Sequence, residues 1–381
     1  MPDGLFQPVV AVRVTFAADP AASLPDARIA GTGQRFPLSR VSDREWTALL
    51  PLSGIAPGEK TIEVIERVAS GGAVADVVVA RAGFLVSQPE YAVWTLDFEG
   101  DAAGDAEMAN TAAIADGVGV PMVVMWNPRA WTATSAPPVS LERAEAMRRW
   151  TLERAAKGDE VALHLHMWTD YVRAAGVVPR TVPAWAGRGD GYDVPMTAYG
   201  EDEQRGLIEY ATKLMAERGL PRPTSFRAPG NFGNAATLRA AAASGFTADC
   251  TAVPAGVFGR LPWPWTLGND AQPYRPAAND ANAAGDLPLV EAPTTGGNTY
   301  GHTKASIQAF VRADLAILAP AGSLATARRA LTIVSHPGTI DPTERAAIET
   351  LLHAFDPLRY DQDLGPLRFV TLRQLAAAYA P

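Results

Sequence analysis

The chain contains one cysteine, Cys250, so no intramolecular disulfide can staple it, and the cysteine count leaves the redox compartment open. Cys250 follows Phe246 in a run that reads as a strand, where a thiol serves as a small buried apolar group. No stretch of about 20 apolar residues is present, so no transmembrane helix is expected. The start, Met1-Pro2-Asp3-Gly4-Leu5, lacks both the positive and the apolar segment of a signal peptide. The expected location is therefore the cytoplasm, or outside the cell after removal of a signal. Positive charge is also short, with 33 Lys and Arg against 41 Asp and Glu and a net charge of −8. Without a basic stripe, nucleic acid is not an expected partner. Nucleotide signatures of the G-x-G-x-x-G or Walker kind are missing, as is any internal repeat. Nothing in the sequence fixes the oligomeric state.

What is present is a chain of 381 residues, long for one compact domain, which favours two domains or a barrel plus an extra module. Apolar residues make up 48% and charged residues 19%, an ordinary soluble composition. The first 88 residues carry short alternating runs. Val10, Val12, Val14 and Phe16 recur with period two, Thr61–Val68 repeats the pattern, and Val74–Val86 is rich in Val, Ala, Phe and Leu. Turn signals separate them at Gly31-Thr32-Gly33, Ala56-Pro57-Gly58-Glu59 and Ser70-Gly71-Gly72. This spacing predicts a small immunoglobulin-like antiparallel β-sandwich over 1–88, with Gln88-Pro89 as the boundary.

From residue 89 to 381 strands and helices alternate. Strands are expected at Ala92–Leu96, Val118–Met125, Glu160–His164, Thr224–Arg227, Leu331–His336 and Leu367–Val370. Helices are expected at Glu107–Gly117, Ser140–Lys157, Glu201–Arg218, Ala235–Ser244, Phe310–Leu318, Pro342–Phe355 and Leu372–Ala378. Repeated β-α units mean a parallel sheet, open or closed. Asp97, His164, Arg227 and His336 each follow an apolar strand, and a distorted (β/α) barrel would gather all four at one mouth.

The first chemical cluster is Asp97-Phe98-Glu99-Gly100-Asp101, in which three carboxylates alternate with other residues. On an extended chain they share a face, where they would raise each other's pKa unless a cation relieved them. A simple acidic turn remains the plain alternative. The second is His164-Leu165-His166, two of only five histidines, at a spacing that presents both rings to one side. One core and one exposed histidine is the alternative there. Carboxylate plus imidazole donors suit Zn²⁺ and neighbouring divalent ions, with Co²⁺, Mn²⁺ or Fe²⁺ as further candidates. Arg227-Ala228-Pro229-Gly230-Asn231 places a fixed cation beside a turn. Val334-Ser335-His336-Pro337 places a lone histidine at a strand end. His302 and His353 carry no such context.

In this order the four pieces resemble the motifs of the polysaccharide-deacetylase or NodB-homology family, carbohydrate esterase family four, over about residues 90–381. The resemblance implies that Asp97 is a base and that Arg227 orients it. It also implies that His336 is an acid and that Glu99, or Asp101 in competition with it, binds metal with His164 and His166. Two departures stand out: the acids are two apart rather than adjacent, and the histidines two apart rather than four, with Trp168 where the second would fall. The implied activity is metal-dependent hydrolysis of an acyl C–N bond, by default deacetylation of an N-acetylated carbohydrate. A cyclic imide or ureide amidohydrolase, or a weakly catalytic carbohydrate-binding relative, is the alternative. Trp168, Pro229, Asn231, Trp263 and Trp265 are candidate substrate contacts, and the indole faces of Trp263 and Trp265 are suited to stack on sugar rings. The proline-rich stretch 261–276 reads as a long loop, in which a packed tryptophan pair is the competing reading.

Overall fold

The structure, a computed structural model, describes residues 9–20, 23–70 and 73–380. The expectations placed on Met1–Leu5 and on Gly71-Gly72 lie outside the described residues. The chain divides into two compact units, Met1–Gln88 with Ser323–Arg328, and Pro89–Gly322 with Arg329–Pro381.

The first unit contains β1 (Val9–Thr15), β2 (Asp26–Ile29), β3 (Phe36–Pro37), β4 (Ser39–Arg40), β5 (Glu45–Pro51), β6 (Gly58–Ser70) and β7 (Ala73–Val86). These form a three-stranded sheet, β1-β5-β4, and a four-stranded sheet, β3-β2-β6-β7. Every pairing is antiparallel. Period-two alternation sends Val12, Trp46, Ala48 and Leu50 of one sheet and Ala27, Ile29, Ile62 and Val64 of the other into a shared core.

The second unit begins with β8 (Glu90–Asp97), α1 (Asp105–Val118), β9 (Val123–Trp126), α2 (Leu141–Ala156), β10 (Glu160–His164), α3 (Thr169–Ala174), α4 (Glu201–Glu217), β11 (Ser225–Arg227), α5 (Ala235–Ala243) and β12 (Ala248–Asp249). Two short hairpins follow, β13 (Val257–Phe258) with β14 (Leu261–Pro262), and β15 (Pro276–Ala277) with β16 (Asp280–Ala284). Then come β17 (Val290–Glu291), α6 (Gln308–Ile317), β18 (Arg329–Ser335), α7 (Pro342–His353), β19 (Leu367–Phe369) and α8 (Leu372–Tyr379). The parallel sheet runs β17-β12-β11-β10-β9-β8-β18, with β19 also paired to β8. Beyond β18 the sheet continues into the segment after β17. Gly296 donates its N–H to Thr332 and Thr299 its N–H to Val334, at 2.9 Å each. The result is a distorted (β/α) barrel whose seam is a connecting segment and not a full strand.

Local sequence explains the helix ends. The Ser140 hydroxyl accepts from Arg143 N at the start of α2, and Asp341 accepts from Thr343 N and Glu344 N ahead of Pro342 in α7. α1 extends to Val118 and stops at Gly119, whose φ of 72° is left-handed. The expected strand Val118–Met125 is therefore shortened to Val123–Trp126, because its apolar run spans a helix end, a turn and a strand. The stretch 261–276, expected as loop, supplies β14 and the start of β15.

Strand alternation sets the site. Ala92, Trp94 and Leu96 of β8 pack with Ile114 of α1 and Ile348 and Leu351 of α7. Thr95 and Asp97 lie on the other face and meet Arg227. Likewise Leu163, Leu165 and Met167 enter the core, which leaves His164 and His166 together on the opposite side.

Candidate metal centre and active site

Arg227 is the last residue of β11 and is buried. Its Nη1 donates to Asp97 Oδ1 at 2.8 Å and to Thr95 Oγ1 at 2.7 Å. Nε donates to the Cys250 carbonyl at 3.1 Å, and Nη2 to Thr294 Oγ1 at 3.0 Å. Every guanidinium nitrogen is thus committed, and Asp97 is held through one oxygen only. Behind Arg227, Asp249 and Glu291 sit side by side on β12 and β17 with no exposed surface. Asp249 Oδ1 accepts from Thr251 N at 2.7 Å and Glu291 Oε1 from Ala252 N at 2.9 Å, while the second oxygen of each is buried without a partner. Burial first, and then the Asp249 charge, pushes Glu291 well above the ordinary range.

His164 and His166 are 1% and 2% exposed, with ring centres 4.9 Å apart. His164 Nδ1 donates to the Arg227 carbonyl at 3.0 Å, and His166 Nδ1 to the Tyr192 carbonyl at 2.7 Å. Each bond fixes the ring so that its Nε2 points into the site. His166 Nε2 lies 2.5 Å from Glu99 Oε2, and His164 Nε2 lies 3.9 Å from Glu99 Oε1 and 4.0 Å from Asp97 Oδ2. His164 Nε2 is buried with no hydrogen-bond partner. Burial is the largest influence on His164 and lowers its pKa, against the pull of Asp97, so the ring stays neutral with its lone pair available.

An orphaned imidazole nitrogen beside a carboxylate and a second imidazole is what a divalent cation would satisfy. Among the described residues two donor sets meet here, Glu99 with His164 and His166, and Asp97 with Glu99 and His336. Asp101 belongs to neither. β8 ends at Asp97, Phe98 turns inward against Trp126, and Gly100 takes a φ of 86°, so the alternation that would have aligned all three acids breaks after Glu99.

His336 follows β18, and its Nε2 lies 3.2 Å from Glu99 Oε1. Burial disfavours its charge, but the hydrogen bond and charge of Glu99 prevail and raise its pKa above the usual imidazole value. Burial likewise opposes ionisation of Glu99, and the charges and hydrogen bonds of His166 and His336 hold it well below the carboxylate range.

The candidate substrate contacts fall differently. Trp168 is 1% exposed, donates its indole N–H to the Glu99 carbonyl at 2.9 Å, and carries the Arg129 guanidinium 3.8 Å over its ring. It is a support for the Glu99 turn and offers no open face to a sugar. Trp265 is 2% exposed and donates to the Asn231 carbonyl, while half-buried Trp263 donates to the Gly230 carbonyl. Together they clamp the turn after Arg227, in which Pro229 is buried and the Asn231 amide donates to the Thr251 carbonyl. Two further groups had no sequence signal. Tyr192 stacks on His166, and Asp170 forms a buried ion pair with Arg129 at 3.0 Å.

No family model matches the chain, and no curated protein matches it. Solved structures do. A structure described as a "putative polysaccharide deacetylase" from Mycobacterium smegmatis is 15% identical with a TM-score of 0.49, over 77% of this chain and 91% of that one. A family 4 carbohydrate esterase from Streptomyces lividans, in complex with acetate, is 12% identical with a TM-score of 0.35, over 71% and 88% of the two chains. A family 4 acetyl xylan esterase from Clostridium thermocellum, in complex with a cobalt ion, is 13% identical with a TM-score of 0.38, over 76% and 91%. At this overlap the functional reading has to stand on the site itself.

Proposed function

We propose that the protein is a metal-dependent hydrolase of acyl C–N bonds that deacetylates an N-acetylated carbohydrate. The observation that carries this reading is the buried, unpartnered His164 Nε2, aimed at a cluster with Glu99 and His166 beside the Arg227-bound Asp97. The order of these residues along the chain, which resembles the deacetylase motifs, supplies the acyl and sugar part of the proposal. His164, His166 and Glu99 would hold one divalent ion, zinc in the first instance. Such an ion, when bound, supplies Lewis acidity and makes water acidic enough to ionise near neutral pH.

The chain's own groups then divide the proton work. Arg227 takes Asp97 Oδ1, which leaves Oδ2 on the His164 side to accept a proton from the attacking water. His336, on the other side of Glu99, carries a proton that it can deliver to the leaving nitrogen. Acid and base are thus separate groups in different surroundings, as amide cleavage needs. The test is metal content alongside acetate release from N-acetylated and O-acetylated glycans. His164→Ala and His166→Ala should each lose both the ion and the activity; full metal occupancy in both variants would end the assignment.

A further inference from the structure

Tyr192 meets the candidate ligands at three points. Its phenol donates to Glu99 Oε2 at 2.8 Å. Its backbone carbonyl accepts from His166 Nδ1 at 2.7 Å. Its ring lies flat on the His166 imidazole, with centres 4.1 Å apart and planes 5° from parallel. No other residue described above touches both His166 and Glu99 while being neither a donor to the ion nor a proton carrier.

The segment that carries Tyr192 is tied down on both sides. Asp193 Oδ2 accepts from Ala186 N at 2.9 Å and Arg188 N at 2.8 Å, and the Asp193 carbonyl accepts from Trp185 N at 3.0 Å. The Asp190 carbonyl accepts from Thr169 N at 2.8 Å, just past the histidine pair. Gly191 has a φ of 85°, and a Cβ there would lie 2.3 Å from the Met167 carbonyl oxygen. Only glycine lets the segment lie this close to the strand end. The Arg188 guanidinium sits 4.3 Å over the Tyr192 ring, and Trp168 flanks it at 5.0 Å. The tyrosine is therefore held by its surroundings before any ligand arrives.

We propose that Tyr192 is a positioning residue of the metal centre, fixing the His166 imidazole by its ring and carbonyl and fixing the Glu99 carboxylate by its phenol. The proposal rests on the metal-hydrolase reading above. A free glutamate carboxylate rotates and can bind through one oxygen or both. With the phenol on Oε2 and His336 beside Oε1, Glu99 is kept in one orientation. Partners of this kind, which orient ligands without binding the ion, typically contribute about 10–100-fold to metal affinity. They also shape the ligand field, which a residue that merely fills space does not.

The test uses the full chain. Tyr192→Phe keeps the ring and the carbonyl and removes only the O–H. Zn²⁺ affinity is measured by chelator competition, the visible spectrum of the Co²⁺-loaded protein is recorded, and thermal unfolding of the metal-free protein reports on the fold. The expected result is a loss of about tenfold or more in Zn²⁺ affinity with an altered Co²⁺ spectrum. Tyr192→Leu, which also strips the ring, should lose more. Wild-type affinity and an unchanged spectrum in Tyr192→Phe would overturn the proposal while leaving the metal reading intact. Failure of the wild-type chain to take up either ion would overturn the metal reading, and this proposal with it.

Discussion

His336 is the residue whose role a single substitution separates most cleanly. As the proposed proton donor to a poor leaving group, it should matter on amides and much less on an aryl acetate, whose leaving group departs without help. His336→Ala should therefore lower kcat on amides by about 10²-fold, the ordinary scale of acid catalysis, and spare the aryl ester. Equal losses on both substrates would give His336 another role. Asp314 offers a stability test remote from the chemistry. It is buried in α6, one of its oxygens has no partner, and burial pushes its pKa up to about 8. A raised folded-state pKa means that stability is fully present below the unfolded value and falls as pH rises toward 8. Asp314→Asn should remove that slope. It should raise the unfolding temperature above pH 8 and change little near pH 4. A parallel shift at both pH values would show that the carboxyl is not the cause.

At the scale of elements, the strand ends are where sequence and site coincide. Asp97, His164, Arg227 and His336 stood out because each follows an apolar run, and the structure brings all four within one set of contacts. Two kinds of feature were not legible. The strands of the two hairpins after β12 are mostly two residues long and lie among prolines and glycines, too short for any period to register. Tyr192 lies in an irregular segment between α3 and α4, and its partners are 93 residues away at Glu99 and 26 away at His166. Alternation also misplaced Asp101, because it assumes an extended chain where Gly100 turns it. The irregular segment can itself be tested. Gly191→Ala forces a Cβ against the Met167 carbonyl at a positive φ, so the segment must move. The variant should lose roughly 1–3 kcal/mol of stability and bind metal more weakly, although no ligand has been altered. Unchanged metal affinity would show that the segment does not position the histidine.

For the whole molecule, the division near Gln88-Pro89 could be read from the change in period, from alternating strands to β-α units. That residues 323–328 join the first unit could not, since six residues far along the chain carry no periodic signal. The barrel was legible as a class because helices and strands alternate, but its seam was not. Closure there depends on backbone hydrogen bonds from Gly296 and Thr299 to β18, which side-chain patterns do not report. The central claim is that His164, His166 and Glu99 form an ion site on which the hydrolysis depends. The most direct measurement is acetate release by the wild-type chain before chelation, after removal of all divalent ions, and after stoichiometric Zn²⁺ or Co²⁺ is returned, with bound metal counted at each stage. The expected result is about one ion per chain, loss of activity on chelation and recovery on reloading. Full-rate deacetylation by metal-free protein would contradict the account.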